Sequence, residues 1–335
     1  MKILVTGGTG FIGSHTCVEL LNEGNEVVII DNLYNSQADV VEKIEEITKK
    51  SVKFYEGDCC DEAVLEKIFS DHNIDAVIHF AGYKAVGESV QKPIMYYENN
   101  LMSTLALCKV MAKYGCKKLV FSSSATVYGN PNSVPIHEDF PLGPTTNPYG
   151  TTKLMIEQIL RDVFVSDDQW SIALLRYFNP IGAHDSGLIG ENPNDIPNNL
   201  MPYIVKVANK ELPVLHVFGN DYDTHDGTGV RDYIHVVDLA KGHVNAVAKV
   251  LKDTGVDAYN LGTGNGYSVL DVVETFKRVN NVDVPYQVDP RRPGDIAECF
   301  ASTDKALKEL GWKAEKGLEE MCKDAWSYVS KVKKV

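Results

Sequence analysis

Short runs of consecutive apolar residues recur along the first half of the chain, and each stops at polar or turn-forming residues. The runs cover residues 3–5, 27–30, 52–55, 76–82, 119–124 and 171–176. Helical spacing lies between them, over residues 62–69 and 94–114 and in the segment that begins at Pro148. Continuous apolar runs are typical of strands that are buried on both faces. The pattern therefore predicts an α/β fold with a doubly wound parallel sheet.

After Asn179 the composition changes to Gly, Asn and Pro with short apolar pieces. We expect a second, smaller α/β domain there that supplies a substrate site. Helical spacing returns over residues 234–251, and a further strand is predicted over residues 258–261.

The composition excludes several classes of protein. A chain of 335 residues with 44% hydrophobic content can bury a full core. A net charge of -13 argues against a nucleic-acid partner, which relies on Lys and Arg to neutralise phosphates. No apolar run approaches the ~18 residues of a membrane helix, and glycine at Gly7 comes too early for a signal sequence. We expect a cytoplasmic protein without a membrane partner.

Cysteine and histidine spacing predicts no metal site. The seven cysteines form no CxxC pair, so neither a disulfide framework nor a thiolate site is indicated. The nine histidines include no HExxH motif.

The first strand leads directly into a glycine turn, which contains Gly7, Gly10 and Gly13 and opens a helix. Such a turn lets the backbone approach a pyrophosphate, which the N–H groups and dipole of the helix N-terminus stabilise. The second strand ends at Asp31, 31 − 13 = 18 residues after the last glycine, where a carboxylate can bind the ribose 2′-hydroxyl. The order indicates a Rossmann-type dinucleotide site that prefers NAD to NADP.

Other strand ends add candidate cofactor residues, because strand ends of such sheets face the ligand crevice. Asp58 could accept a hydrogen bond from the adenine amino group. Residues 80–82 (Phe80, Ala81 and Gly82) and Lys84 could line the cofactor, although a solvated loop lysine is an equal alternative for Lys84.

Tyr149 and Lys153 are the candidate catalytic pair. Positions i and i+4 share one face of a helix, and a nearby ammonium could bring a phenol towards use as a base near neutral pH. Asn147 and Pro148 predict a capped helix start that places Tyr149 in the first turn. Ser124 ends a neighbouring strand and could bind the same substrate hydroxyl. Such a pair on an exposed helix is also common without any chemical role.

Several longer motifs resemble a known family. The segments TGGTGFIG, HFAG, SSSATVYG and YGTTK resemble the extended short-chain dehydrogenase/reductase superfamily. Residues 174–180, 196–203, 227–235 and 291–295 are similar to the UDP-glucose 4-epimerase family within it. The resemblance extends from residue 2 to about residue 326. It implies an NAD-binding domain of residues 1–178 plus about 231–262, and a UDP-sugar domain of about 179–230 plus 263–335.

The resemblance also assigns residues that the pattern alone leaves open. Further cofactor residues are Phe11, Ile12, Asn32, Asn99 and Tyr177. Substrate residues are Ser124, Tyr149, Asn179, Asn199, Leu200, Phe218, Arg231, Arg292, Asp295 and Cys299. Arginine suits a diphosphate because its planar fork meets two oxygens at once. A structural role is an equal alternative for several of these substrate residues.

The implied activity is reversible C4 epimerisation of UDP-glucose and UDP-galactose through a 4-keto sugar with bound NAD. Cys299 lies where the family often has a bulky Tyr, so UDP-N-acetylglucosamine and UDP-N-acetylgalactosamine are further expected substrates, with a packing role for Cys299 as the alternative. The resemblance also implies a homodimer through the helices that carry Asn99 and Tyr149.

Two other functions occur on a fold of this kind. A nucleotide-sugar 4,6-dehydratase needs an acid pair after the central strand, where this chain has residues 124–126, Ser-Ala-Thr. A non-enzymic NAD-binding scaffold on the same fold typically lacks the Tyr and Lys, and both are present.

Overall fold

A computed structural model of the chain describes residues 1–192, 199–292 and 294–332. Two of the motifs above extend outside this range, at residues 196–198 and at residue 293. The main feature is a seven-stranded sheet in which every neighbouring pair is parallel, in the order β3-β2-β1-β4-β5-β6-β11. Its strands are β1 (Lys2–Thr6), β2 (Glu26–Asp31), β3 (Lys53–Glu56), β4 (Ala76–His79), β5 (Lys118–Ser124), β6 (Ser171–Tyr177) and β11 (Gly255–Leu261).

Helices cover both faces of this sheet, as the apolar runs predict. They are α1 (Phe11–Asn22), α2 (Asp39–Thr48), α3 (Glu62–Asp71), α4 (Val86–Gln91), α5 (Pro93–Lys113), a 3₁₀ turn (Ala125–Tyr128), α6 (Pro148–Ser166) and α8 (Val236–Lys252). Ile3 and Val5 of β1 pack with residues of α1, α2 and α8, whereas Leu4 packs on the opposite face with residues of α3, α5 and α6. Both faces of the strand are buried, so its sequence has no polar alternation.

Most of the remaining elements form a smaller α/β body. They are β7 (Asn179–Ile181), α7 (Leu200–Ala208), β8 (Leu215–Phe218), β9 (Val230–Arg231), β10 (Tyr233–His235), β12 (Tyr267–Ser268), α9 (Val269–Asn280), β13 (Tyr286–Asp289), β14 (Glu298–Cys299) and α11 (Leu318–Val332). The core of this body contains Ile204, Val217, Phe276 and Met321, all buried. Three small sheets, β7 with β10, β8 with β13 and β12-β9-β14, hold it together. Helix α10 (Asp304–Leu310) instead packs with β11 and α8 of the large sheet.

The structure corrects the predicted elements at two points. Ile234 belongs to strand β10, so the predicted helix begins at Val236 instead. Helices α2 and α4 were not predicted from the sequence. The apolar residues of α2 are sparse, with only Ile44 fully buried in it, which gives a weak periodic signal.

Candidate active site

A cleft of about 850 Å³ lies at the carboxyl ends of the sheet strands. Its lining includes all of the predicted cofactor residues, namely Gly7, Gly10, Phe11, Ile12, Gly13, Asp31, Asn32, Asp58, Phe80, Ala81, Gly82, Lys84, Asn99 and Tyr177. Tyr149, Lys153 and Asn199 line the same cleft. The strand ends and the glycine turn meet there because all seven strands run in one direction.

The glycine turn is tightly packed. Gly7 has a left-handed φ of +69°, and a Cβ on it would lie 2.9 Å from the backbone nitrogen of Ala81. A Cβ on Gly13 would collide with the carbonyl oxygen of Gly7. Gly10 precedes α1 as its N-cap and contributes no side-chain cap, so the first N–H groups of the helix stay available to an anion. This cradle fits the pyrophosphate of a dinucleotide.

Asp31 holds the surrounding loops. Its Oδ2 accepts a hydrogen bond from the Thr9 backbone N–H at 3.1 Å. Its Oδ1 accepts from the Leu33 backbone N–H at 2.9 Å and from the Ser36 hydroxyl at 3.2 Å. The carboxylate therefore fixes both sides of the turn in which a ribose would bind. Asp58 lies close by and accepts from Asn32 at 3.2 Å.

Tyr149 and Lys153 lie in the first turns of α6. The Asn147 side chain caps this helix by accepting from the Gly150 N–H at 2.9 Å, which confirms the predicted start. The Lys153 Nζ donates to the Ser122 carbonyl oxygen at 2.6 Å and lies 5.8 Å from the centre of the Tyr149 ring. The bond to Ser122 uses one of the three N–H groups of the ammonium.

Ser124 connects the strand end to Tyr149. The Ser124 Oγ accepts from the Thr126 N–H at 3.2 Å and from the Thr126 hydroxyl at 3.0 Å. Both bonds leave the hydroxyl proton of Ser124 available to the Tyr149 phenol, whose pKa Ser124 lowers in part. The three side chains form one group: phenol, serine hydroxyl and ammonium.

The prediction that Lys153 lowers the pKa of Tyr149 is wrong for the protein chain alone, without a bound cofactor. Burial raises the pKa of Tyr149, and the Ser124 hydrogen bond lowers it in part. Burial also lowers the pKa of Lys153 to about 7. Removal of water penalises the phenolate and the ammonium alike, so both side chains favour the neutral form.

The Lys153 pKa gives a testable pH dependence. Between about pH 7 and the ordinary lysine range, the unfolded chain binds more protons at this residue than the folded chain does. We therefore expect the free energy of unfolding to rise with pH across this window, and this rise to be smaller in Lys153→Met. Urea unfolding of cofactor-free wild type and variant at pH 7 and pH 9 measures the difference. Equal changes in the two proteins would contradict the assignment.

The predicted nucleotide residues form a second group in the smaller body. Arg292 pairs with Asp295 at 3.0 Å, and its guanidinium lies 4.9 Å from the centre of the Phe218 ring. Arg231 lies 3.9 Å from Asp295. Cys299 of β14 pairs in register with Arg231 of β9. Two cations and an aromatic ring therefore stand together, as a nucleoside diphosphate requires.

The other predicted substrate residues lie on adjoining elements. Asn199 is the N-cap of α7, which Leu200 begins. Asn179 begins β7, and its backbone N–H donates to the Asp232 carbonyl oxygen at 2.9 Å. Leu200, Asn179 and the group around Arg231 are not part of the lining of the large cleft.

Three buried polar residues of this region were missed by sequence reasoning. Glu157 accepts from Ser123 and Arg176, and His243 is hydrogen-bonded to Tyr177. Asp232 accepts from the backbone N–H groups of Thr263, Gly264 and Ala301, which ties two separate segments to the strand that follows Arg231. Each partner is distant in sequence, and no local motif marks them.

Glu191 was also missed, and it connects two predicted site residues. Its Oε1 lies 3.4 Å from the Lys84 Nζ and accepts from the Asn199 side chain at 3.0 Å. Lys84 is half exposed, so the pair is screened by solvent and contributes little to stability. The Lys84–Glu191 pair matters because it connects residues that line the cleft, and not because of its contribution to stability.

One group of metal-ligand types exists among the described residues: His225, Asp226 and Asp271, with ligand atoms within 4.8 Å of one another. Asp226 accepts from Thr228 and Ser268, and Asp271 forms a capping box with Ser268. These bonds account for the cluster as a loop and helix cap. No helix within the described parts of the chain is long and apolar enough to cross a membrane.

Comparison with known proteins identifies relatives over nearly the whole chain. A family model described as GDP-mannose 4,6 dehydratase matches residues 4–325. A UDP-glucose 4-epimerase of Bacillus subtilis (strain 168) is 64% identical, over 98% of this chain and 97% of that protein.

Solved structures agree with this result. The UDP-glucose 4-epimerase of Bifidobacterium longum in complex with NAD+ and UDP is 59% identical, with a TM-score of 0.95, over 99% of this chain and 98% of that one. The UDP-glucose 4-epimerase of Stenotrophomonas maltophila with bound NAD and formylated UDP-arabinopyranose is 49% identical. Its TM-score is 0.98, over 100% of this chain and 99% of that one.

Proposed function

Because this chain belongs to the UDP-glucose 4-epimerase family of the extended short-chain dehydrogenases/reductases, we propose that it interconverts UDP-glucose and UDP-galactose by inverting C4. The observation that carries the proposal is the meeting of Tyr149 and Lys153 at the cleft that the glycine turn and Asp31 line, with Ser124 beside Tyr149. The relatives with solved structures bind NAD together with UDP in one case and with formylated UDP-arabinopyranose in the other. We place the enzyme in the cytoplasm and in galactose and carbohydrate metabolism.

Tyr149 is the acid and base of this reaction. As the phenolate, Tyr149 takes the proton of the C4 hydroxyl, and the resulting phenol later returns it to the same oxygen. The reaction has no net redox change because the hydride removed from C4 comes back to the same carbon. Ser124 donates to the Tyr149 oxygen and so stabilises negative charge on it. Lys153 lies next to the phenol, where its protonated form stabilises the phenolate, and its remaining N–H groups can orient the nicotinamide ribose. When bound, NAD would supply the hydride-transfer chemistry, because its ring can accept the C4 hydride and return it. The positive charge of that ring would also favour the phenolate.

The binding energy of the UDP-sugar substrate comes from its nucleotide part. Arg231 and Arg292 are suited to the diphosphate, Asp295 to ribose hydroxyls and Phe218 to the uracil ring. Asn179, Asn199 and Leu200 provide further polar and backbone groups at the same end. A sugar anchored only through its nucleotide is free to turn, and the 4-keto sugar must present its second face before the hydride returns.

Two observations favour an epimerase over the dehydratase that the matching family model names. The epimerases compared above are 49–64% identical to this chain. After β5 the chain has Ser124, Ala125 and Thr126, whereas a dehydratase needs an acid pair there to remove water. The Tyr149 and Lys153 pair argues against a non-enzymic scaffold.

Product analysis tests the proposed function. The purified protein is incubated with UDP-galactose, with and without added NAD, and the nucleotide sugars are separated. UDP-glucose as product supports the proposal. A 4-keto-6-deoxy sugar from GDP-mannose or dTDP-glucose, or no product from any of these substrates, would overturn it.

We propose further that the enzyme accepts N-acetylated UDP-sugars, since Cys299 is small and packs beside buried residues such as Tyr128 and Phe178. Cys299→Tyr is expected to lower turnover of UDP-N-acetylglucosamine by at least ~10-fold, because the larger ring fills space next to the sugar, and to change UDP-glucose turnover by less than about twofold. Cys299→Ser keeps the size and is expected to keep both activities. Wild type without measurable N-acetyl turnover would refute this proposal.

A homodimer is proposed from exposed apolar faces of α5 and α6. On α5, Ile94, Met102 and Leu105 are exposed at helical spacing; on α6, Met155 and Val165 are. These helices pack against each other, so the residues lie on adjacent helices, and exposed apolar patches of this kind mark interfaces. Four such helices, two from each subunit, would cover the patch.

Substitutions that place charged residues on the exposed apolar face of α5 test the predicted homodimer. Sedimentation of wild type is expected to give twice the chain mass, whereas Met102→Glu with Leu105→Glu is expected to shift it to a single chain, because burying two carboxylates is costly. Leu307→Glu changes a residue of α10 that is 51% exposed, and is expected to leave the dimer intact. A monomeric wild type would contradict the prediction.

A further inference from the structure

His243 is a buried titratable residue that the mechanism above does not use. It lies on α8 and its side chain is fully buried. Its Nε2 is hydrogen-bonded to the hydroxyl of Tyr177, the last residue of β6. Tyr177 lines the cleft together with Tyr149 and Lys153. His243 therefore binds the hydroxyl of a tyrosine, Tyr177, that lines the candidate cofactor site.

The tautomer of His243 follows from its second hydrogen bond. The His243 Nδ1 lies 2.8 Å from the Leu239 carbonyl oxygen. A carbonyl oxygen only accepts, so Nδ1 carries the hydrogen. Burial lowers the pKa of His243 to about 4, which leaves the ring neutral at pH 7. Nε2 is then a lone pair, and the Tyr177 hydroxyl must donate to it.

This bond determines what Tyr177 can offer to a ligand. A phenol has one hydrogen, and His243 takes it. The Ser122 side chain also acts on this hydroxyl and partly offsets the rise in the Tyr177 pKa that burial causes. The Tyr177 oxygen thus presents only lone pairs to the cleft. Rings on both sides hold His243 in place, with centroid distances of 4.8 Å to Phe80 and 5.2 Å to Tyr177.

We propose that His243 is a positioning residue that keeps Tyr177 as an obligatory hydrogen-bond acceptor, so that the site selects a cofactor ring bearing an amide N–H₂ group. The carboxamide of a nicotinamide dinucleotide is such a group. A ketone in the same place has no hydrogen to donate, and its oxygen would face the Tyr177 lone pairs. The inference rests on the proposed function only in taking a nicotinamide dinucleotide as the cofactor.

Binding of two dinucleotides tests the role of His243. Dissociation constants of NAD and of 3-acetylpyridine adenine dinucleotide, whose methyl ketone replaces the carboxamide, are measured by calorimetry on the full chain freed of nucleotide. Wild type is expected to prefer NAD by about tenfold, the effect of one lost hydrogen bond at a buried acceptor. In His243→Phe, which keeps an aromatic ring beside Phe80, the preference is expected to fall below about threefold, because Tyr177 can then rotate its hydroxyl and donate to the ketone.

Three further variants separate positioning from general structural support. Tyr177→Phe is expected to lose the preference for NAD, as His243→Phe does. The variant that combines Tyr177→Phe with His243→Phe is expected to lose no more of this preference than either single variant. His243→Gln, whose amide oxygen can still accept from Tyr177, is expected to recover part of it. His72→Phe replaces a histidine at the outer edge of the sheet that contacts Tyr55, and is expected to keep the full preference.

The proposal is overturned if wild type binds the two dinucleotides equally, or if folded His243→Phe and Tyr177→Phe both keep the tenfold preference. Thermal unfolding of each variant establishes that it is folded. Should His243→Phe not fold, Tyr177→Phe and His243→Gln carry the same test. Wild type that discriminates between the dinucleotides but does not convert UDP-galactose would overturn the proposed function and leave this inference standing.

Discussion

Tyr149→Phe is expected to lower the turnover of UDP-galactose by at least ~10²-fold, the lower range for loss of a general base. The substitution removes one oxygen and keeps the ring in the first turn of α6. The Ser124 hydroxyl and the Lys153 ammonium then have no phenol oxygen to stabilise, so no group in the cleft takes the C4 hydroxyl proton. Steady-state kinetics measure the fall in kcat.

Binding measurements show whether Tyr149→Phe affects the chemical step and not the binding of NAD or UDP. Affinities for NAD and UDP are expected to change by less than about threefold, since the glycine turn and the arginine group are untouched. Tyr55→Phe removes a phenol that is bonded to Asp71 and His72 outside the cleft, and serves as the matched control with near-normal turnover. Near-normal turnover by Tyr149→Phe would remove Tyr149 from the mechanism. Loss of NAD binding would instead indicate a structural defect.

Glu157→Gln is expected to lower the free energy of unfolding by about 3–5 kcal/mol, the range for breaking one side of a buried ion pair. Arg176 donates to the two Glu157 oxygens at 2.9 and 2.7 Å, and both side chains are 1% exposed. Burial opposes the charge on Arg176, but the hydrogen bonds and charge of Glu157 raise its pKa above the ordinary value. The neutral amide would leave that cation buried without a counter-charge.

The same carboxylate joins three elements of the site. Glu157 lies one turn beyond Lys153 on α6 and accepts from Ser123, the neighbour of Ser124 on β5, at 2.5 Å. Arg176 extends the network to the Tyr128 hydroxyl at 2.9 Å and the Glu138 carbonyl oxygen at 3.1 Å. The pair therefore holds the helix that carries Tyr149 against the strand that carries Ser124.

Chemical unfolding in urea measures the effect, with two comparisons. Glu66→Gln removes one partner of an exposed pair with Lys113 and is expected to cost less than about 1 kcal/mol. Glu157→Leu combined with Arg176→Met is expected to be more stable than Glu157→Gln, since no buried charge is left uncompensated. An unfolding free energy of Glu157→Gln within about 1 kcal/mol of wild type would contradict the assigned burial and pairing.

Features that depend on neighbouring residues could be predicted from the sequence. The glycine turn lies between β1 and α1, and Asp31 ends the next strand, so one short βαβ segment contains the cofactor cradle. The Asn147 cap and the i, i+4 pair of Tyr149 and Lys153 are equally local. The parallel sheet covered on both faces followed from continuous apolar runs, because strands buried on both faces need no alternation.

The long-range features required the folded chain. Tyr177 and His243 are 66 residues apart, and Arg176 and Glu157 are 19 apart on different elements, so no spacing rule brings them together. The sign of the Tyr149 pKa change was also wrong, because the Lys153 charge was expected to outweigh desolvation, and the penalty for removing water depends on how deeply both groups are buried.

The sequence by itself thus determined the fold class, the dinucleotide cradle and the identity of the Tyr149 and Lys153 pair, because backbone conformation and helical spacing act over a few residues. Tertiary structure alone decided which buried groups support that pair, which direction the Tyr177 hydroxyl faces, and which protonation states burial favours. Hydrogen-bond partners and desolvation arise from the packing of distant segments, and a one-dimensional pattern does not contain that information.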